Sequence, residues 1–155
     1  CPLSEIRYNI YSYWPYQLDL TLRVGEFLKR QKITSIIKLH PDRLEDSDQL
    51  YGNYFDSIMI EKFENIINQA DAFIFTDIGT TTFGVSLMTD KPIFIFDSLF
   101  DYIPPERHSL LRKRCYVIPS KINSESKLIF DEEKFEYYLL NNPHAQGNSF
   151  QDLIL

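Results

Sequence analysis

The chain has 155 residues, enough for one domain with a sizeable core, and at 44% hydrophobic and 15% aromatic it is too apolar for a disordered chain. A formal net charge of −6 argues against a nucleic-acid-binding surface, which is normally basic, and no apolar run approaches the ~20 residues that cross a bilayer. The two cysteines, Cys1 and Cys115, offer neither a disulfide framework nor a metal-ligand spacing, which fits a reducing, cytoplasmic setting. The opening CPLSEIRYNIYSYWPY has no basic stretch followed by an apolar core, so it is not read as a secretory leader. It also lacks a starting methionine. The expectation is a single domain over 1–155 that is a piece of a longer protein.

In chain order, IRYNIYSY (6–13) is rich in β-branched and aromatic residues and predicts a strand stopped by Trp14-Pro15. A helix is predicted over 18–31, with Leu18, Leu22, Phe27 and Leu28 near helical spacing and Lys29 and Arg30 in its last turn. TSIIKLH (34–40) predicts a short strand ended by Pro41, and PDRLEDSDQLYGNY a polar surface loop whose acids Glu45, Asp46 and Asp48 have no metal-type spacing. DSIMI (56–60) predicts another strand. Residues 61–69 carry Phe63, Ile66 and Ile67 on one helical face. AFIFT (72–76) and PIFIF (92–96) are almost continuously apolar, as parallel strands buried on both faces are. CYVIP (115–119) is a further strand, and Asp131 caps a helix through Leu140, stopped by Asn142-Pro143. Strands alternating with helices predict an α/β fold, a Rossmann-like open and mostly parallel sheet with helices on both faces.

In such sheets ligands bind beyond the carboxyl ends of the strands. Two polar groups fall there: His40-Pro41 after the strand at 34–40, and Asp77-Ile78-Gly79-Thr80-Thr81-Thr82 after the strand at 72–76. Gly79 allows a sharp turn with its backbone close to a ligand. Thr80 or Thr81 can cap the helix predicted over 81–89. Either these threonines only cap, or the first-turn N–H groups and hydroxyls also cradle an anion such as a phosphate. His40 likewise is either a structural hydrogen-bonding residue or a phosphate donor held at the strand tip. A third feature, PPERHSLLRKRCY, concentrates Arg107, Arg112, Lys113 and Arg114 around His108: either a solvated helix face or a pyrophosphate or acceptor contact.

IIKLHP followed by NQADAFIFTDIGTTTFGVSLMTDKPIFIFD resembles the carboxyl-terminal half of two-domain glycosyltransferases of the GT-B type, built from paired Rossmann-like domains. It looks most like the CDP-glycerol glycerophosphotransferases, and the capsule-polysaccharide transferases and polysialyltransferases with a His-Pro motif; UDP-N-acetylglucosamine 2-epimerases are more distant. The residues carrying the likeness are His40-Pro41, Ala70-Asp71, Thr76-Asp77, Thr80-Thr81 and Lys91-Pro92, in that order, with FDSLFDY (96–102) after them. The resemblance implies that His40, Asp77, Gly79, Thr80, Thr81 and Thr82 bind the phosphates of a nucleotide-sugar or CDP-alditol donor, with no metal and no cofactor beyond that donor. It implies a glycan or polymer acceptor, surface-polysaccharide synthesis, a cytoplasmic enzyme either free or peripheral at the inner face of the membrane, and a catalytic base on an amino-terminal domain absent from this chain. Gly84 stands where relatives carry an acidic residue for the ribose, so Asp97 or Asp101 is a candidate substitute, and Asp97, Asp101 and Arg107 are the candidates for ribose or acceptor contacts.

Two rival readings belong to other classes. DIGTTTFGVSL also looks like the phosphate loop of the sugar-kinase, actin and heat-shock ATPase superfamily, where it is a β-hairpin. The other rival is a Rossmann-like module kept for binding or assembly alone. A Walker loop is excluded, because Val85-Ser86 stands where Lys-Ser/Thr is required.

Overall fold

The computed structural model of the chain describes residues 14–40 and 47–141. The strand expected over 6–13, together with Cys1, Pro41, Glu45, Asp46 and the Asn142-Pro143 stop, lies outside the described residues.

Helix α1 spans Trp14–Arg30. Trp14-Pro15 therefore opens this helix, four residues ahead of the expected start, because a proline in the first turn lacks only an N–H that has no intrahelical acceptor anyway. Its buried stripe is Leu20, Val24, Phe27 and Leu28; Leu18 and Leu22 are only half-buried. Strand β1 (Ile36–Lys38) and β2 (Ser57–Met59) flank helix α2 (Ser47–Tyr51), which forms inside the segment expected to be a polar loop. Helix α3 (Phe63–Ile66) tightens into a 3₁₀ turn at Ile67–Gln69. Strand β3 (Phe73–Phe75), helix α4 (Thr81–Leu87) and β4 (Ile93–Phe96) follow, all within the predicted segments. A 3₁₀ segment (Asp97–Tyr102), helix α5 (Pro105–Arg114) and β5 (Tyr116–Ile118) come next. A hairpin of β6 (Ser120–Ile122) and β7 (Leu128–Phe130), absent from the sequence reading, precedes α6 (Glu132–Asn141). The predicted cap is in place: Asp131 Oδ1 accepts the Lys134 N–H at 2.9 Å.

The fold is α/β with mostly parallel pairing. β1 pairs with β2 in parallel, β3-β4-β5 form a second parallel ladder, and β6-β7 are antiparallel. β4 is at most 1% exposed along its length, as a strand covered on both faces must be. Its side chains alternate between two cores. Phe94 and Phe96 join Leu20, Val24, Phe27 and Leu28 of α1 and Phe135 of α6; Ile93 and Ile95 join Phe63 and Ile66 of α3, Phe83 and Leu87 of α4, and Cys115 after α5. Helices thus cover both faces. The α2–β2 link also lies on the α1 face, where a Cβ on Gly25 would meet the Tyr54 carbonyl at 2.9 Å. The α1 face is densely aromatic: Phe135 stacks on Phe27 (4.9 Å, 13°) and meets Phe96 edge-on at 6.0 Å. No described helix is long and apolar enough to cross a membrane.

Candidate functional site

The turn after β3 is built locally and pinned globally. Asp77 Oδ1 accepts the Gly79 N–H at 2.9 Å, an Asx turn that reverses the chain. Ile78 packs against both apolar cores, which holds the turn over the end of the sheet where the two faces meet. Gly79 does not use the left-handed backbone region, since no described glycine has positive φ. What its missing side chain supplies is room, because a Cβ would stand 3.3 Å from Asp77 Oδ1.

Thr80 is the N-cap of α4: its backbone is extended and its Oγ1 accepts the Phe83 N–H at 3.2 Å. The Gly84 N–H reaches the Thr80 carbonyl at 3.4 Å. The N–H groups of Thr81 and Thr82, at the first two helical positions, have no intrahelical acceptor. Thr80 and Thr81 are exposed and Thr82 is half-buried. The helix ends at Leu87 rather than Thr89. Phe83, Ser86 and Leu87 are buried, whereas Met88 is 60% exposed. The hairpin that the kinase-like reading requires is not formed, since residues 81–87 are helical.

Register relates the other candidates to this turn. Phe75 pairs with Ile95, and Asp77 follows β3 by two residues while Asp97 follows β4 directly, so both come after the carboxyl ends of paired parallel strands. Asp97 Oδ1 accepts the Ser120 N–H at 2.7 Å, and the Ser120 hydroxyl reaches both that oxygen (3.0 Å) and Ser98 Oγ (2.7 Å). One carboxylate oxygen thus ties β4 to β6, on a residue that stays half-buried. Asp101 is exposed on the 3₁₀ segment and Arg107 is exposed in the first turns of α5. His40 is exposed, two residues past β1. β1 and β3 are not paired among the described residues, so Asp77, Asp97 and the threonine turn follow the strand ends of one ladder, and His40 follows the end of the other.

Several chemistry-bearing residues have structural partners that the sequence did not reveal. Arg114 is buried, 5% exposed, and forks onto the end of α4 and the loop after it, reaching the Leu87, Thr89 and Lys91 carbonyls at 3.3, 2.6 and 3.0 Å. Burial lowers the pKa of this guanidinium below its ordinary value. Lys91 caps the 3₁₀ turn at Ile67–Gln69 by donating to the Ile67 carbonyl (2.7 Å) and to the Ala70 carbonyl. Preceding β4, it stands at the opposite edge of the sheet from the threonine turn. His108 Nε2 lies 3.0 Å from the Phe100 carbonyl and 2.8 Å from that of Ile103. Carbonyls only accept, so this nitrogen carries the proton, and His108 fastens α5 to the 3₁₀ segment. Arg112 lies over the Phe100 ring at 4.6 Å. Thr21 donates to the Gln17 carbonyl, so the Thr76 hydroxyl is the donor in its 2.8 Å contact with Thr21, which joins the tip of β3 to α1. None of these pairs except the i−4 bond within α1 carries a sequence signal, because their partners are set by topology.

Fold and site together define a class: a Rossmann-like α/β domain with a threonine-lined turn beyond its strand tips. No family model, curated protein or solved structure matches the chain.

Proposed function

We propose that this chain is the donor-binding half of a GT-B-type transferase, cytoplasmic, which holds a nucleotide-sugar or CDP-alditol while a glycan or polymer acceptor is joined to it in surface-polymer synthesis. The observation that carries the reading is the turn itself: first-turn amides at Thr81 and Thr82 with no intrahelical acceptor, beside exposed hydroxyls at a parallel strand tip. Neutral donors of this kind stabilise a departing phosphate without reorganising during transfer. Asp77 and Asp97 add negative charge at the same edge, so they suit the hydroxyls of a ribose or alditol rather than the phosphate. The acceptor's proton needs a base, assigned in this reading to a facing domain.

Calorimetry with CMP, CDP, UDP and GDP is the direct test. A diphosphate is expected to bind, and Thr81→Val to weaken it about 10- to 150-fold, the worth of a charge-assisted hydrogen bond, with little change in melting temperature. Unchanged affinity in that variant, or no binding by any of the four, would defeat the proposal. One observation favours a non-catalytic module instead: Thr80 Oγ1 is already engaged in capping. That alternative predicts no nucleotide binding.

A further inference from the structure

From Ala72 to Ile78 the chain through β3 presents alternate side chains to α1. Ala72, Ile74 and Ile78 pack against the core that α1 helps to form, while Phe73 and Phe75 point into the other core. Thr76 belongs to the same row and meets Thr21 of α1 at 2.8 Å. On the helix, Thr21 stands one turn before Val24 and two before Leu28, both buried. A hydroxyl pair, half-buried on both sides, is thus set into a contact built from apolar side chains.

The two hydroxyls are not equivalent. The Thr21 proton goes to the Gln17 carbonyl within the same helix, so it is satisfied wherever α1 lies. The Thr76 proton goes to Thr21 and so depends on where α1 lies. Apolar packing is non-directional and tolerates small shifts, whereas a hydrogen bond does not. Turning α1 by one residue, or sliding it by one helical turn of about 5.4 Å, takes Thr21 out of reach and leaves a hydroxyl unpaired. We infer that Thr21 and Thr76 are a register pair, which fixes α1 against the tip of β3 and so sets where the turn 77–82 stands, while adding little net stability. A single buried asparagine sets the register of a coiled coil in the same way. The consequence for binding rests on the donor-site reading: the two threonines are then positioning residues, Thr76 directly before Asp77, acting through the turn rather than on the phosphate.

Valine has the shape of threonine without its hydroxyl, so a double-mutant cycle in the whole chain tests the pair. Thr21→Val strands the Thr76 hydroxyl and is expected to lower the urea midpoint. Thr76→Val is expected to lower it less, because Thr21 keeps its bond to Gln17. Thr21→Val combined with Thr76→Val removes both partners and is expected to recover the midpoint. The amide resonances of residues 77–82 decide the matter. They are expected to be single and sharp in the unaltered chain, and doubled or broadened by microsecond-to-millisecond exchange in the double variant despite its restored midpoint. Thr21→Ser keeps the hydroxyl and is expected to keep the sharp resonances. A double variant with unaltered resonances, a midpoint as low as that of Thr21→Val, or a Thr21→Ser chain with broadened resonances would each overturn the inference. Titration of the same samples with CDP separates it from the donor reading. Binding that weakens about tenfold in the double variant supports both. Equal affinity in the two chains removes the positioning role and leaves the register. No binding by the unaltered chain removes the donor site, and the resonances still decide the register.

Discussion

Two glycines within helices show how a single residue's worth depends on what surrounds it. Gly84, in α4, has nothing within 4 Å of where a Cβ would stand, and its backbone is helical. Gly84→Ala is expected to stabilise the protein by about 0.5–1 kcal/mol, the difference in helix-interior entropy. Gly25, in α1, has the Tyr54 carbonyl at 2.9 Å and the Phe55 ring at 3.0 Å from that position. Gly25→Ala is therefore expected to cost about 1–3 kcal/mol through overpacking. Urea denaturation of both variants checks the pair, and two shifts of the same sign would refute it. Cys115 makes a different point. Burial pushes its thiol up to about 12, against the pull of the Arg114 guanidinium. A raised folded-state pKa keeps the neutral form, so this contribution to stability is complete below pH about 9 and is lost as pH climbs to about 12. At pH 8, alkylation of Cys115 in the folded chain is expected to be much slower than in the denatured chain, read by digestion and mass spectrometry.

At the scale of elements, the capping of α4 decides whether its threonines are available to a ligand. Thr80 closes the amino end and Arg114 the carboxyl end, so this seven-residue helix is held at both termini. Arg114→Ala leaves the Leu87, Thr89 and Lys91 carbonyls without their donor and is expected to destabilise by about 3–5 kcal/mol. Arg114→Lys recovers only part of this, because an ammonium cannot reproduce the guanidinium fork. The readout is the denaturation midpoint at constant slope; an unchanged midpoint in the alanine variant would show that solvent replaces the clamp. Thr80→Ala removes the amino-terminal cap at a cost of about 1 kcal/mol. Comparison with Thr81→Val then separates stability from affinity within one turn.

At the scale of the whole molecule, the proposed donor site is half of a catalytic arrangement. Transfer needs an acceptor held in line and a base for its proton. The chain is therefore expected to bind a nucleoside diphosphate yet release no product when incubated at high concentration with activated donors and polyol acceptors. Product formation would place the base within this chain and refute the division of labour.

The sequence by itself determined much of the alternation of strand and helix, because apolar runs such as PIFIF and AFIFT, bounded by turn residues, fit strands buried on both faces, and a periodic apolar pair after Thr80 or Thr81 marks a helix start. It determined the α6 cap at Asp131 for the same reason: capping is local chemistry, complete within four residues. Only the tertiary structure decided which side of α1 is buried. Leu18 and Leu22 compete with Leu20 and Val24 for that role, and packing against Phe94, Phe96 and Phe135 selects the second pair. Only the tertiary structure made Arg114 a buried clamp rather than part of a basic surface, and Asp97 a tie to Ser120 rather than a free carboxylate. Their partners lie more than twenty residues away along the chain. A hydrogen bond over that separation exists because crossovers bring two strand ends together, and spacing along the sequence carries no record of it.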